Sequence, residues 1–359
     1  MFKDRFALAI KNLYTSKNTF NIKYDVDTNF ELSVTKAEKY NDCPFKFFVS
    51  TVLTPKEKKL FAETAANKGV FYHNVFKDFY NTLAEKSIDV KTLAKDKKMF
   101  SSIIHKIIDS NKKRHNENIF TSSPKYNFLS QIMSRIAEES VWYSLLQLSR
   151  GEYKPAHNEY IIDPSENAFE LTNGQNVYMA GIIDRVDIAN INNKYARIID
   201  YKSGNVTFDV EKLSAGIQLQ LPLYLKSLKD YSKGGMYYFH VHTPVLTSDC
   251  DEEDILPEYK LSGPTLGTTN ALIAADNTLA EAGSVSSDVI RASVTADGQI
   301  SKRSYVVSEQ EMNGYIKIAT EKFLQAAEGI SKGQISATPV VLKNYSACDY
   351  CSYKSLCSG

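Results

Sequence analysis

The first 32 residues scatter aromatic and charged side chains without a clear period, as either an irregular lead-in or the trimmed edge of something larger would. A helical period begins near Thr35. Thr35 and Glu38 have the spacing of a capping box, and Ala37, Tyr40, Phe45, Phe48 and Val49 follow at helical intervals, with Pro44 placed to kink or restart the helix. From Pro55 to about Arg150 the apolar positions keep a period of about 3.6 residues. Val70, Val75, Phe76 and Phe79 form one stripe, Phe100, Ile103, Ile104, Ile107 and Ile108 a second, and 128–148 a third. The chain up to about residue 150 is expected to be mainly helical.

The period then changes to two. Segments 159–162, 168–171, 177–188 and 196–201 read as strands, with Asn173-Gly174 and 190–194 as turns, and an antiparallel meander is the simplest arrangement. Segment 216–228 reads as a helix with Pro222 near its first turn, and 235–241 as a buried strand. Between 243 and 297 the sequence is rich in Ser, Thr, Gly, Ala and acids with weak periodicity, and is expected to be a variable insertion. Segment 312–330 is an amphipathic helix closed by Gly333, and a short polar tail follows Pro339. The expected organisation is one domain: lead-in 1–34, helical region 35–150, sheet and helix 151–243, insertion 244–300, and C-terminal helix with cysteines 301–359.

Composition narrows the class. With 43% hydrophobic and 24% charged residues the chain is neither disordered nor fibrous. Its 43 Lys and Arg balance 42 Asp and Glu, so any affinity for nucleic acid has to come from local patches. The start MFKDRFALAIKNLY is too broken by charge for a secretory leader, and no apolar run approaches the ~18 residues of a membrane span. A cytoplasmic protein without membrane contact is expected. Five cysteines are too few, and odd in number, for a disulfide framework, so metal or catalytic chemistry is the alternative to weigh.

The most specific chemistry lies in GIIDRVDIANINNKYARIIDYKSG. Read as two strands and a short turn, it sends Asp200 and Lys202 to one face and Ile199 and Tyr201 to the other, with Asp184 near the end of the partner strand. Two carboxylates and an ammonium then converge. Mg²⁺ or Mn²⁺ asks for hard oxygen ligands, one or two carboxylates plus waters and substrate phosphates. Lys202 would orient or activate the attacking water and stabilise charge on a phosphate. An isolated D-x-K is ordinarily a solvated charge pair, but the apolar run 196–199 leads Asp200 toward a buried position, where an unpaired carboxylate is costly. His73 at the start of a helix and Glu159 at the head of a strand are weaker candidates, and Gln220 and Tyr224, four apart, share a helix face.

Cys348, Cys351 and Cys357 form C-x2-C-x5-C, and Cys43 stands about 300 positions earlier, just before Pro44. Four thiolates suit either Zn²⁺ or an iron–sulfur cluster. Cys250 lies in an acidic stretch outside this pattern.

GIIDRVDI, followed by IIDYKSG and LQLPLYL, resembles the PD-(D/E)xK nuclease superfamily in its RecB-like branch, and looks most like the C-terminal nuclease domain of the AddB subunits of AddAB helicase–nucleases. GVFYH with His73, CPFKFF with Cys43 and the terminal CDYCSYKSLC follow in that family's order and rough spacing, so the resemblance runs from about Ser33 over nearly the whole chain. It departs at Ile182, where the family often has Arg. The resemblance implies an α/β, restriction-endonuclease-like core, a mainly antiparallel or mixed sheet flanked by helices, with a large helical N-terminal part and a C-terminal iron–sulfur staple. It also implies Asp184 and Asp200 as ligands of Mg²⁺ (or Mn²⁺), His73 as a further ligand, Lys202 as the catalytic lysine, and Gln220 with Tyr224 as a Q-x-x-x-Y motif. Cys43, Cys348, Cys351 and Cys357 would hold a 4Fe-4S cluster.

The activity so implied is exonucleolytic cleavage of single-stranded DNA in double-strand break repair and recombination, beside a partner subunit of the AddA type. No G-x-x-x-x-G-K-S/T stretch occurs, so a motor would lie elsewhere, and the chain is expected to be a fragment of a larger subunit. Two rivals share the motifs: a stand-alone CRISPR-associated iron–sulfur exonuclease, and a non-catalytic DNA-binding module. The occupied acid and lysine positions disfavour the second. Lys95, Lys97, Lys98, Lys106, Lys112, Lys113 and Arg114 would serve either as a phosphate track or as the solvated face of a helix, and Phe71, Tyr72, Tyr201 and Tyr224 either as base-stacking rings or as core.

Overall fold

A computed structural model describes residues 29–55, 65–120, 123–244 and 251–357. Of the expected lead-in, Phe30–Ser33 forms a strand (β1), and Val34–Asp42 a helix (α1). The α1 cap is Ser33, whose hydroxyl accepts the Lys36 amide, so the Thr35–Glu38 capping box does not form and Glu38 is free to act elsewhere. Pro44 restarts the helix as expected: Cys43 ends α1 and precedes the short helix Pro44–Phe47.

The helical half is Ala65–Glu85 (α2), Lys97–Phe120 (α3) and Pro124–Ser149 (α4), in keeping with the periodicity. Phe76, Phe79, Phe100, Ile104, Val141 and Leu145 pack into one core with the facing side of the sheet. Each fully buried phenylalanine here contributes about 1.5–3 kcal/mol by leaving water. Val70 and Phe128, expected within these stripes, lie off the packed face and are exposed.

Six strands form the main sheet. Lys154–Ile161 (β2) starts one edge, while Ala168–Glu170 (β3) and Asn176–Ala180 (β4) leave it to form a small separate sheet with β1. Ile182–Ile191 (β5) and Asn193–Lys202 (β6) form a hairpin, and β2 pairs antiparallel with β5. The single strand expected over 177–188 is therefore broken at Gly181, which packs so closely on the Tyr224 ring that a Cβ would lie 2.6 Å from its Cε1.

After β6 the sheet becomes mixed. Two short helices, Val210–Ala215 (α5) and Gln220–Ser227 (α6), cross over and return the chain to Ser232–His240 (β7), which pairs with β6 in parallel. The expected helix over 216–228 starts later because Gly216, at φ +84°, ends α5.

The segment expected as a variable insertion belongs to the fold. Among its described residues Leu256, Tyr259, Leu261, Leu272, Val289 and Ile290 are buried in the helix-side core, and Thr265–Leu266 (β8) extends the sheet beside β7. Its elements, including the ribbon Val285–Ser286 (β9) with Ser293–Val294 (β10), are too short for a period to register. Val306–Val307 (β11) completes the sheet at β8. Cys250 lies outside the described residues.

Glu309–Ser331 (α7) starts with a true capping box, Ser308 and Glu311, and Gly333 follows its end at φ +63°. With α1 and α6 it covers the second face of the sheet, over Ala196, Ile198 and Met236. The tail forms a small hairpin, Val341–Leu342 (β12) with Tyr345–Ser346 (β13). No helix among the described residues is long and apolar enough to cross a membrane.

Candidate active site

Register explains why the acids meet. Arg185 pairs with Ile199 across the β5–β6 hairpin, so the next position in that register sets Asp184 opposite Asp200. Along β6, Ile199 and Tyr201 enter the helix-side core and Ile198 the other, which leaves Asp200 and Lys202 on the face of α6 as the alternation predicts. Strand β5 is less regular. Ile183 and Val186 pack on one face while Arg185 bonds Ser144 and Tyr201 on the other, so the alternation slips at Asp184. Across from it, Glu159 takes a left-handed backbone, φ +52°, and the β2–β5 pairing skips both residues.

Asp184 is turned toward α2. Its Oδ2 accepts the Tyr201 amide at 2.8 Å, and its Oδ1 lies 3.1 Å from His73 Nδ1. His73 Nε2 meets the Tyr201 carbonyl at 2.8 Å. Both partners of the imidazole are acceptors, and only a ring protonated on both nitrogens satisfies both. Burial opposes that charge, but the Asp184 hydrogen bond and charge outweigh it and hold the His73 pKa above its ordinary value.

Asp200 is buried, and burial together with the Asp184 charge pushes its carboxyl up to about 6. Lys202 Nζ lies 2.6 Å from Asp200 Oδ2, an ion pair that sets the ammonium directly on the buried carboxylate. The ammonium also lies 3.4 Å from Gln220 Oε1 and 5.6 Å from the centre of the Tyr238 ring. Burial disfavours the Lys202 charge, and Asp200 more than compensates.

Gln220 is the first residue of α6, and Tyr224 lies one turn on. Burial, then the Asp200, Glu38 and Asp184 charges, raise the Tyr224 pKa. Its ring is buried under Gly181, and Phe71, Tyr72 and Tyr201 are buried as well, so the base-stacking alternative gives way to core packing for all four. Ile182, where the resemblance leads one to expect Arg, is exposed beside the site.

Three features escape the sequence. Glu38 reaches from α1 to the start of α6, where Oε1 accepts the Leu219 amide at 2.6 Å and the Gln220 amide at 3.0 Å, and burial pushes its carboxyl up to about 7. Arg185, Asp187 and Arg197 form a fully buried ion cluster behind the acids, with Arg185 over the Tyr80 ring and Arg197 over Tyr153. Lys77, one turn after His73 on α2, forms an ion pair with Glu159 and so neutralises the extra acid foreseen there. In the basic run, Arg114 pairs with Asp78 and Lys91 with Glu152, and Lys98 and Lys106 are exposed, the pattern of a solvated helix face.

The donors fit a hard divalent cation in kind: two carboxylates on adjacent strands and an imidazole. For His73 to serve as a ligand it must release one of its ring protons, so metal binding there is linked to deprotonation. Among the described residues no three His, Cys, Asp or Glu side chains are already drawn together closely enough to cage an ion.

Four of the cysteines lie among the described residues. Cys43 is buried, and Cys348, Cys351 and Cys357 are half-buried, all four free thiols. Burial raises the pKa of Cys43 and Cys357, and for each the neighbouring thiols add to it, Cys351 for Cys43, and Cys43, Cys351 and Cys348 for Cys357. The tail is strapped to the end of α1. The Val340 amide bonds to the Asp42 carbonyl at 2.9 Å, the Tyr345 hydroxyl to Asp42 Oδ1 at 2.7 Å, and Phe45, Phe48 and Val49 pack against Ile335, Tyr353 and Leu356. These contacts bring the segment bearing Cys348, Cys351 and Cys357 to the end of α1, where Cys43 stands.

Known proteins resemble this chain in sequence. Residues 31–358 match the PD-(D/E)XK nuclease superfamily. The chain is 30% identical, over 97% of its length, to the ATP-dependent helicase/deoxyribonuclease subunit (AddB) of Clostridium perfringens (strain SM101 / Type A). It is 29% identical over 93% of its length to the protein of that name from Thermoanaerobacter sp. (strain X514), and 27% identical over 99% to that from Alkaliphilus metalliredigens (strain QYMF). It covers 31%, 30% and 33% of those proteins, so it spans about a third of their length. With the match running through residues 31–358, nearly all of its length, the chain belongs to the PD-(D/E)XK nuclease superfamily.

Proposed function

We propose that the chain is the nuclease part of a helicase–nuclease subunit of the AddB type, hydrolysing phosphodiester bonds of single-stranded DNA as an exonuclease in double-strand break repair. One observation carries the reading: Asp184, Asp200 and Lys202 meet at the ends of β5 and β6, with His73 and Gln220 reaching in from α2 and α6. The names of the relatives support the deoxyribonuclease activity and its place in a helicase–nuclease. A partner subunit of the AddA type, carrying the motor that this chain lacks, completes the proposal.

Asp184 and Asp200 would hold Mg²⁺ (or Mn²⁺), with His73 as a further ligand. When bound, such an ion lowers the pKa of a water and neutralises charge on a phosphate. Lys202 supplies three N–H donors on a flexible stem, directed by Asp200 and Gln220, to orient the attacking water and to hydrogen-bond the phosphate oxygens as charge develops. Cys43, Cys348, Cys351 and Cys357 would hold a 4Fe-4S cluster, whose part is to fix the tail to α1 and through α1 the site. End-labelled single-stranded DNA, duplex DNA and single-stranded RNA, compared at equal concentration with Mg²⁺, test the substrate. The single DNA strand is expected to be degraded fastest from an end, and equal cutting of RNA, or preference for duplex, would contradict the proposal.

The Q-x-x-x-Y pair is expected to divide. Gln220→Ala leaves the packing of α6 intact and should slow turnover about tenfold while metal binding is unchanged. Tyr224→Ala opens a cavity beneath Gly181 and should cost about 3–5 kcal/mol of stability. Tyr224→Phe keeps the ring and should restore that stability. Thermal melts and Mn²⁺ titration of the three variants check both statements.

A further inference from the structure

Glu38 has no part in the scheme above, yet it touches the helix that delivers Gln220. The first residues of α6 need acceptors for their amides, and Leu219 at its cap provides no side-chain bond. The acceptor comes from 181 positions away: Glu38 Oε1 takes the Leu219 amide at 2.6 Å and, 182 positions away, the Gln220 amide at 3.0 Å. Nearly one turn on along α1, Asn41 Nδ2 donates to the Gly216 carbonyl at 3.0 Å and to Lys322 at 3.2 Å, so α1 holds both ends of the link between α5 and α6. That link has no room to shift toward α1: a Cβ at Gly216 would lie 2.5 Å from Asn41 Nδ2. Beyond it, Gln220 Oε1 lies 3.4 Å from Lys202 Nζ.

We propose that Glu38 is a positioning residue for this site: by accepting the first two amides of α6 it sets where Gln220 meets Lys202. The inference rests on the nuclease reading above. It gives α1 two tasks, since the same helix leads into Cys43. One oxygen takes both amides, so a neutral side chain of equal reach should serve, while a charged one that is shorter should not.

The test is single-turnover cleavage of labelled single-stranded DNA with Mg²⁺. Glu38→Gln is expected to cleave within about threefold of wild type. Glu38→Asp, which keeps the charge and withdraws it by one methylene, and Glu38→Ala should be slowed by about 10- to 100-fold, with Mn²⁺ affinity unchanged. Glu38→Ala combined with Gln220→Ala should be no slower than Gln220→Ala alone, because both act through one contact. If Glu38→Ala does not fold, the contrast between Glu38→Gln and Glu38→Asp decides. Full activity in Glu38→Asp, a Glu38→Gln variant as slow as Glu38→Asp, or multiplying losses in the double variant would overturn the inference. A Lys202→Ala control as active as wild type would instead remove the nuclease reading, and this inference with it.

Discussion

Asp184→Asn, Asp200→Ala and Lys202→Ala are each expected to abolish cleavage, with losses of about 100- to 1,000-fold or more, while circular dichroism shows the fold intact. Asparagine is chosen at 184 because its carbonyl still accepts the Tyr201 amide, whereas alanine would strand that amide and His73 at about 1–3 kcal/mol. The three differ in what they lose. The two acid variants should also bind Mn²⁺ far more weakly, because each removes a carboxylate from the ligand set. Lys202→Ala should retain metal binding close to wild type, since in the proposed scheme its ammonium would act on water and phosphate. Paramagnetic titration of Mn²⁺ against the four proteins separates these roles. Wild-type cleavage by all three variants would mean that the chemistry lies elsewhere.

The cysteine cluster carries the other large effect. Protein prepared without oxygen is expected to be brown, with broad absorption near about 400 nm from thiolate-bound iron–sulfur. Alanine at Cys43, Cys348, Cys351 or Cys357 should bleach it. The centre would join two ends of the chain about 300 residues apart, so its loss should cost about 2–5 kcal/mol, by analogy with removal of a cross-link, and lower Tm by roughly 10 °C. Cys43→Ala should lose activity too, because Cys43 terminates the helix that carries Glu38. Cys250→Ala should change neither colour nor stability. A colourless protein with one tightly held zinc would keep the four-thiolate site and refute the iron–sulfur assignment, and full colour in Cys43→Ala would refute the joining of the two ends.

Much of this is legible in the residues alone, and the failures have physical reasons. Helices α2 to α4 announce themselves because each buries a long stripe, and the β5–β6 hairpin because alternation and turn residues agree. The same alternation places Asp200 beside Lys202. It cannot place Asp184 fully, because the slip in β5 turns that carboxylate toward His73, an effect of pairing and not of local pattern. The break at Gly181 is hidden because its cause, the Tyr224 ring, stands 43 positions away. Parallel pairing of β6 with β7 depends on the crossover through α5 and α6, and a single strand's sequence carries no mark of its neighbour's direction. The segment after β7 reads as peripheral because its elements are short, although they bury Tyr259, Leu261 and Ile290. Glu38 misleads in another way: its spacing from Thr35 fits a capping box, but Ser33 caps α1 and the carboxylate caps α6.

In the proposed function Asp184, Asp200 and Lys202 would form a metal-dependent site for cleaving DNA. Incubation of the protein with labelled single-stranded DNA in Mg²⁺, with and without EDTA and beside Lys202→Ala, tests it most directly. The account predicts that strands shorten with Mg²⁺, stay intact with EDTA, are cleaved again when Mg²⁺ is returned in excess, and stay intact with Lys202→Ala. Cleavage that persists in EDTA, or that Lys202→Ala carries out as fast as wild type, would contradict it.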